Sequence, residues 1–173
     1  MILTLSLITG LPDIESGLKG LRVIKTTQSA FEHFIHDEFS SLPDLQDRIF
    51  STIVYSRWNY GTTLGVDYDH AWNTVRDCIL DAFAGPPETG IFSPSVQNTL
   101  YLAQKKVLEE IPQMSKIEVR LPNKHYFPVD FSSFSKVAKG DQPNNEVFTP
   151  VDKPAGNITA ILGRKSLLMT PKL

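Results

Sequence analysis

Ser93-Pro-Ser-Val-Gln-Asn-Thr-Leu-Tyr-Leu-Ala-Gln-Lys-Lys-Val-Leu-Glu-Glu-Ile-Pro112, followed by Lys116-Ile-Glu-Val-Arg-Leu121, contains one change of hydrophobic period. Val96, Leu100, Ala103, Val107 and Ile111 recur at helical spacing, which predicts a helix with one apolar face. Ser93 reads as its cap and Pro94 as its first residue, where a missing N–H is harmless. Pro112 ends it. Ile117, Val119 and Leu121 then alternate with charged residues, which predicts a strand from Lys116 to about Asp130.

Working outward, a second helix is predicted from about Asp69 to Phe83. Its stripe is Trp72, Val75, Ile79 and Phe83, and Gly85-Pro-Pro stops it. His70, between Asp67 and Asp69 and Ala71, reads as part of that helix start. Upstream, residues 18–27 and 48–58 are rich in β-branched and aromatic side chains and read as strands. Between them, Ser29 as a cap and Phe31, Phe34, Ile35 and Phe39 at near-helical spacing predict a short helix over 29–39. A polar loop is expected at about 132–145. A last strand pair is expected at 146–150 and 157–162, broken at Lys153-Pro-Ala-Gly156. The resulting order, ββααββ, predicts an α+β layer: a four-stranded antiparallel sheet with its helices on one face. Its open edges imply oligomerisation.

With 173 residues, the chain can hold one domain with a real core. A net charge of −2 gives no electrostatic case for nucleic acid. The apolar windows are too short to span a membrane. The opening Met1-Ile-Leu-Thr-Leu-Ser-Leu-Ile lacks a basic start and reads as uncleaved, with a weak signal peptide as the alternative. The single cysteine, Cys78, suggests a reducing compartment and a buried thiol.

Several residues invite chemical roles. Asn123 and His125 stand two apart in a predicted strand and so face the same way. An amide beside an imidazole can hold a small polar molecule, and the imidazole can move a proton. Val96 and Gln97 sit in the first turn of a helix, where free N–H groups favour an anion. On position alone, Val96 reads as core and Gln97 as a solvated side chain. Arg48 offers a planar fork of donors, and Phe31 a flat face for stacking; each taken singly has a surface or core explanation. His33 and His36 have metal-compatible spacing but no third ligand, and read as surface residues. Arg57 and Trp58 read as sheet residues without a role. No phosphate loop, nucleophile elbow or dinucleotide fingerprint is present.

Four ordered segments carry a resemblance: Lys25-Thr-Thr-Gln-Ser-Ala-Phe31, Leu42-Pro-Asp-Leu-Gln-Asp-Arg48, Ser93-Pro-Ser-Val-Gln-Asn-Thr-Leu-Tyr101 and Leu121-Pro-Asn-Lys-His-Tyr-Phe127. Together they resemble urate oxidase (uricase), from about Ser16 to the C-terminus, and match the C-terminal half of that family's subunit. The resemblance implies the tunnelling fold (T-fold), with four subunits around a tunnel and active sites at subunit interfaces. It implies cofactor-free and metal-free oxidation of urate by O2, as co-substrate, to 5-hydroxyisourate and hydrogen peroxide. Phe31 would stack under the purine. Arg48 and Gln97 would grip its polar edges, and the Val96 N–H would add a hydrogen bond. Asn123 would hold dioxygen or water above the ring, and His125 would serve the proton relay. The family completes that relay with a lysine and a threonine from the N-terminal domain of a neighbouring subunit, which Met1–Glu15 does not replace. On this reading residues 1–15 are an atypical N-terminal segment, 16–163 one T-fold domain and 164–173 a tail. This chain alone is then expected to turn urate over negligibly. A non-catalytic T-fold module for binding or assembly is the alternative. A pterin-type enzyme of the same fold fits less well, because Gln97 replaces the usual glutamate. Pro171-Lys172-Leu173 resembles a terminal Ser-Lys-Leu, which addresses proteins to peroxisomes; the cytoplasm is the alternative.

Overall fold

The computed structural model describes residues 2–5, 12–131 and 146–164. The 132–145 loop and the Pro171-Lys172-Leu173 signal lie outside the described residues.

The strands are β1 (Ile2–Leu5), β2 (Pro12–Lys25), β3 (Phe50–Tyr60), β4 (Met114–Pro128), β5 (Phe148–Val151) and β6 (Asn157–Gly163). The helices are α1 (Tyr68–Ala84) and α2 (Val96–Glu110). Every strand pairing is antiparallel, in the order β1-β2-β3-β4. The far side of β4 is shared: β6 pairs with Lys116–Pro122 and β5 with His125–Pro128.

Alternation on β3 builds the two faces. Phe50, Thr52, Val54, Ser56, Trp58 and Tyr60 are buried beneath the helices, while Ile53, Tyr55, Arg57 and Asn59 face the other way. On β4, Ile117, Val119 and Leu121 continue the buried face. In β2 the register shifts between Lys19 and Leu21, where Gly20 adopts φ 82°. That left-handed backbone suits glycine, and the extra residue keeps both halves of β2 facing the core. The face turned away from the helices is charged. Arg57 pairs with Glu118 at 2.7 Å, and the Arg120 guanidinium sits 4.7 Å from the Tyr55 ring centre.

Helix α1 lies against β2, and α2 against α1, β4 and β6. The Asp67 carboxylate caps α1 by accepting from the His70 N–H at 2.9 Å, as the Asp-rich start suggests. Gly85, with φ 69°, ends it. Cys78 is buried, 3% exposed, and burial pushes its thiol pKa up.

The α+β reading with helices on one face holds. Among the described residues the sheet has six strands where four were expected, because β1 extends it along β2 and β5 and β6 both dock on β4. The cap of α2 is Ser95, whose Oγ accepts from the Asn98 N–H at 3.1 Å. Ser93 is drawn instead into a backbone bridge and a buried 2.6 Å hydroxyl contact with Thr99. The predicted 29–39 helix does not form. Ser29 and Phe31 make β-bridges to other segments, and His33 has φ 60°. Only the first half of the stripe is partly covered, with Phe31 and Phe34 stacked at 4.5 Å, while Ile35 is 87% and Phe39 83% exposed.

Gln104 stitches helix to sheet. It is 1% exposed, and its Nε2 donates to the carbonyls of Ile117 at 3.0 Å and Ala160 at 2.8 Å. Replacing it by leucine keeps the volume but leaves both carbonyls unpaired by the side chain. Gln104→Leu should lower stability by about 1–3 kcal/mol, read as a lower urea midpoint with an unchanged slope.

Candidate active site

The site is organised by a short backbone ladder. The Ser93 N–H donates to the Gln28 carbonyl at 2.9 Å, the Ala30 N–H to Ser93 at 2.8 Å and the Glu32 N–H to Pro94 at 3.1 Å. On the other side, Phe31 and Leu45 exchange N–H···O bonds at 2.7 and 2.9 Å, and the Arg48 N–H donates to Ser29 at 2.9 Å. Residues 29–32 are therefore an extended segment bonded on both edges, entered through a left-handed Gln28 at φ 54°, with alternate donors pointing to opposite sides. Ser29 and Phe31 share one face of it.

Arg48 leans over this segment. Its Nε donates to the Ala30 carbonyl at 2.8 Å, which fixes the guanidinium plane. The guanidinium carbon lies 5.8 Å from the centre of the Phe31 ring and 5.7 Å from that of Phe50. Burial pushes the Arg48 pKa down, although an arginine stays protonated at neutral pH. Its Nη2 is buried without a protein partner.

The ladder also delivers the start of α2. Val96 is its first residue, with the side chain 2% exposed in the core. The Ser95 cap uses the Asn98 N–H, and the Ser95 carbonyl accepts from Thr99 at 3.1 Å. The N–H groups of Val96 and Gln97 thus lie at the open, positive end of the helix. The Gln97 side chain is exposed.

Asn123 reaches the same end of the sheet from β4. It is paired in register with Thr52, two residues along from Phe50. Its N–H donates to the Gly156 carbonyl at 2.8 Å, and its side chain is buried, 8% exposed, with Oδ1 lacking a protein partner. His125 follows two residues later in the same uninterrupted strand, half-buried, opposite Val151. Its ring runs parallel to that of Phe127, with centres 6.1 Å apart. His33 and His36 lie apart in the loop, against Glu32 at 3.9 Å and Asp44 at 3.3 Å. Among the described residues no three potential metal ligands cluster.

The structure thus brings Phe31 and Arg48 into contact, ties them through Ser93 to Val96 and Gln97, and sets Asn123 and His125 on the adjoining strand. Two contributors escape the sequence reading. Ser29, taken there as a helix cap, is 0% exposed, and its Oγ has no protein partner. Lys25 is 8% exposed at the end of β2; its Nζ donates to the carbonyls of Phe83, at 3.2 Å, and Ile91. Burial pushes its pKa down. Only the spacing of Lys25 from the Gln28 turn could have hinted at this.

Antiparallel strands curled beneath two helices on one face, with polar groups gathered at one end of the sheet, make this a tunnelling-fold domain. The chain belongs to the uricase family, whose model matches residues 14–159. It is 57% identical to a uricase from Drosophila pseudoobscura pseudoobscura over 152 residues, covering 88% of this chain and 43% of that protein. It is 47% identical to a uricase from Oryctolagus cuniculus over 157 residues, covering 91% and 51% respectively. The solved uricase from Arthrobacter globiformis superposes with a TM-score of 0.77 at 37% identity, covering 90% of this chain and 50% of that one. The chain spans about half the length of these relatives.

Lys25 holds the end of α1 and the approach to Ser93 at the same point. Lys25→Met should leave two carbonyls without their donor and lower stability by about 1–3 kcal/mol. Hydrogen exchange should speed up at Ser93 and Ala30, whose amides form the ladder, more than at Ile117.

Proposed function

We propose that this chain forms the urate-gripping half of a urate oxidase, an oxidoreductase of purine breakdown that uses O2 as acceptor. One observation carries this reading: Arg48 Nη2 is buried without a protein partner, and its guanidinium carbon lies 5.8 Å from the centre of the Phe31 ring, which Phe34 stacks against at 4.5 Å. A buried donor of this kind is costly unless a ligand or water accepts from it.

In this reading Phe31 is the platform under the purine. Arg48 and the Gln97 amide hold its polar edges, and the Val96 N–H adds a donor at the positive end of α2. Asn123 holds dioxygen or water over the ring, and His125 passes protons. Urate supplies both electrons. Urate, O2 and water give 5-hydroxyisourate and hydrogen peroxide, so atoms and charge balance with no metal and no organic cofactor. The relay is completed by a lysine and a threonine of a neighbouring subunit's N-terminal uricase domain, which requires a homo-oligomer with the site at an interface. Four subunits around a tunnel and a peroxisomal address belong to the same reading. Among the described residues no helix is long and apolar enough to cross a membrane.

The test is urate consumption and peroxide release by the purified chain, with and without an added N-terminal uricase domain. Activity should appear only with the added domain. Folded protein that stays inactive in both cases would favour the non-catalytic T-fold module. In the active mixture, Arg48→Ala should raise KM about 10–100-fold with a smaller change in kcat. His125→Ala should lower kcat about 100-fold or more with little change in KM. Equal effects of both changes on both constants would contradict this division of labour.

A further inference from the structure

Ser29 has a hydroxyl that the fold does not use. The residue is 0% exposed, and its Oγ finds no protein partner. Its backbone, by contrast, is held in the ladder: its carbonyl accepts from the Arg48 N–H at 2.9 Å, and its neighbours Gln28 and Ala30 bond to Ser93 on either side of it. A buried hydroxyl without a partner weakens a fold, and an alanine of almost the same size would remove that cost. Serine at such a point calls for a reason outside the packing.

Its surroundings supply one. The residue directly bonded to it through the backbone is Arg48, whose Nη2 is likewise buried and without a protein partner. The Nε of the same guanidinium is already held by the Ala30 carbonyl at 2.8 Å. One end of the fork is therefore fixed and the other is not. Ser29 shares the face of its segment with Phe31, over whose ring that guanidinium sits at 5.8 Å. An orphan hydroxyl oxygen and an orphan guanidinium nitrogen on bonded neighbours are a donor–acceptor pair too far apart for a direct bond. One bridging water can donate to the hydroxyl and accept from one of the two Nη2 hydrogens, which leaves the other for a ligand.

We propose that Ser29 is a positioning residue of the site: through one buried water its hydroxyl accepts from Arg48 Nη2 and sets the angle of the guanidinium fork over Phe31. The ligand it serves is a planar organic anion held by that fork, and the inference rests on the urate-gripping reading above. Ser29 touches neither substrate nor reacting atoms. Its effect passes through Arg48, so it acts on binding and not on the chemical step.

The probe is urate itself, titrated anaerobically by calorimetry against the chain with the N-terminal uricase domain, followed by aerobic kinetics on the same mixture. Ser29→Ala should weaken urate binding 3–10-fold and raise KM in step, with kcat unchanged. It should melt close to the parent, since the hydroxyl makes no bond to another protein group. Ser29→Thr, which keeps the hydroxyl, should bind more tightly than Ser29→Ala. In an Arg48→Ala background Ser29→Ala should have no further effect on binding. A Ser29→Ala protein that binds like the parent, one that loses affinity equally with and without Arg48, or one that melts lower with unchanged affinity would each overturn the proposal. The last result would assign Ser29 to the fold alone. If the unaltered chain binds no urate, the urate-gripping reading falls, and this inference with it. Binding by the parent that is unaltered in Ser29→Ala defeats the inference alone.

Discussion

Everything at the functional end of this domain depends on a backbone ladder a few residues long. Gln28, Ala30 and Glu32 bond to Ser93 and Pro94 along one edge, and Ser29 and Phe31 bond to Leu45 and Arg48 along the other. Three stretches far apart in sequence thereby become one small platform. The platform lies outside the main sheet and carries no regular element of its own. Its rigidity comes from using both edges, as an interior strand does. Phe31, Arg48 and the opening turn of α2 keep their mutual distances only while those bonds hold. The core below supports this from beneath: Phe50 lies under the Arg48 guanidinium and against the Phe83 ring, whose centre is 4.8 Å away.

The division of the molecule into a dense layer and an unsatisfied end follows from the same chemistry. Under the helices, buried polar groups find partners: Gln104 reaches two strand carbonyls, the Trp58 Nε1 donates to Tyr60 at 2.8 Å, and Thr52 donates to the Pro122 carbonyl at 2.8 Å. Among the described residues, the buried side-chain atoms without a protein partner belong to Ser29, Arg48 and Asn123. Such groups weaken a fold unless something other than the fold needs them. Their concentration at one end of the sheet separates a part of the chain whose polar groups are satisfied by packing from a part whose polar groups are not.

Much of this was legible in the sequence wherever the information is local. The period change between Val107 and Ile117, the stops at Pro112 and Gly85, and the Asp67 start of α1 fix the main elements, because one apolar stripe per element needs burial whatever its partner. The segment 29–39 failed for a complementary reason. Phe31, Phe34, Ile35 and Phe39 have helical spacing, yet the backbone partner of Ser29 is Ser93, 64 positions further on. No local pattern reports such a partner. The same distance hid the true cap of α2: Ser93, the cap expected from the sequence, is taken up by the ladder, and Ser95 caps the helix instead. Phe31, Arg48, Asn123 and His125 could be named as candidates from residue type and from the family resemblance. The unpaired hydroxyl of Ser29 could not, because only the folded packing shows that it is both buried and idle.

The double use of β4 sets an order in how the domain comes apart. Its first half is held by seven residues of β6 and its last part by only four of β5. Both halves also lean on β3, but that ladder ends at Lys124. From His125 onward the strand is therefore gripped along one side by a short partner, whereas Ile117 to Leu121 are enclosed on both. Thermal fluctuation should peel the imidazole-bearing tip long before it disturbs the buried layer. The protein can thus combine a permanent scaffold with a tip that breathes, and the boundary between the two falls within a single strand, between the amide of Asn123 and the imidazole of His125.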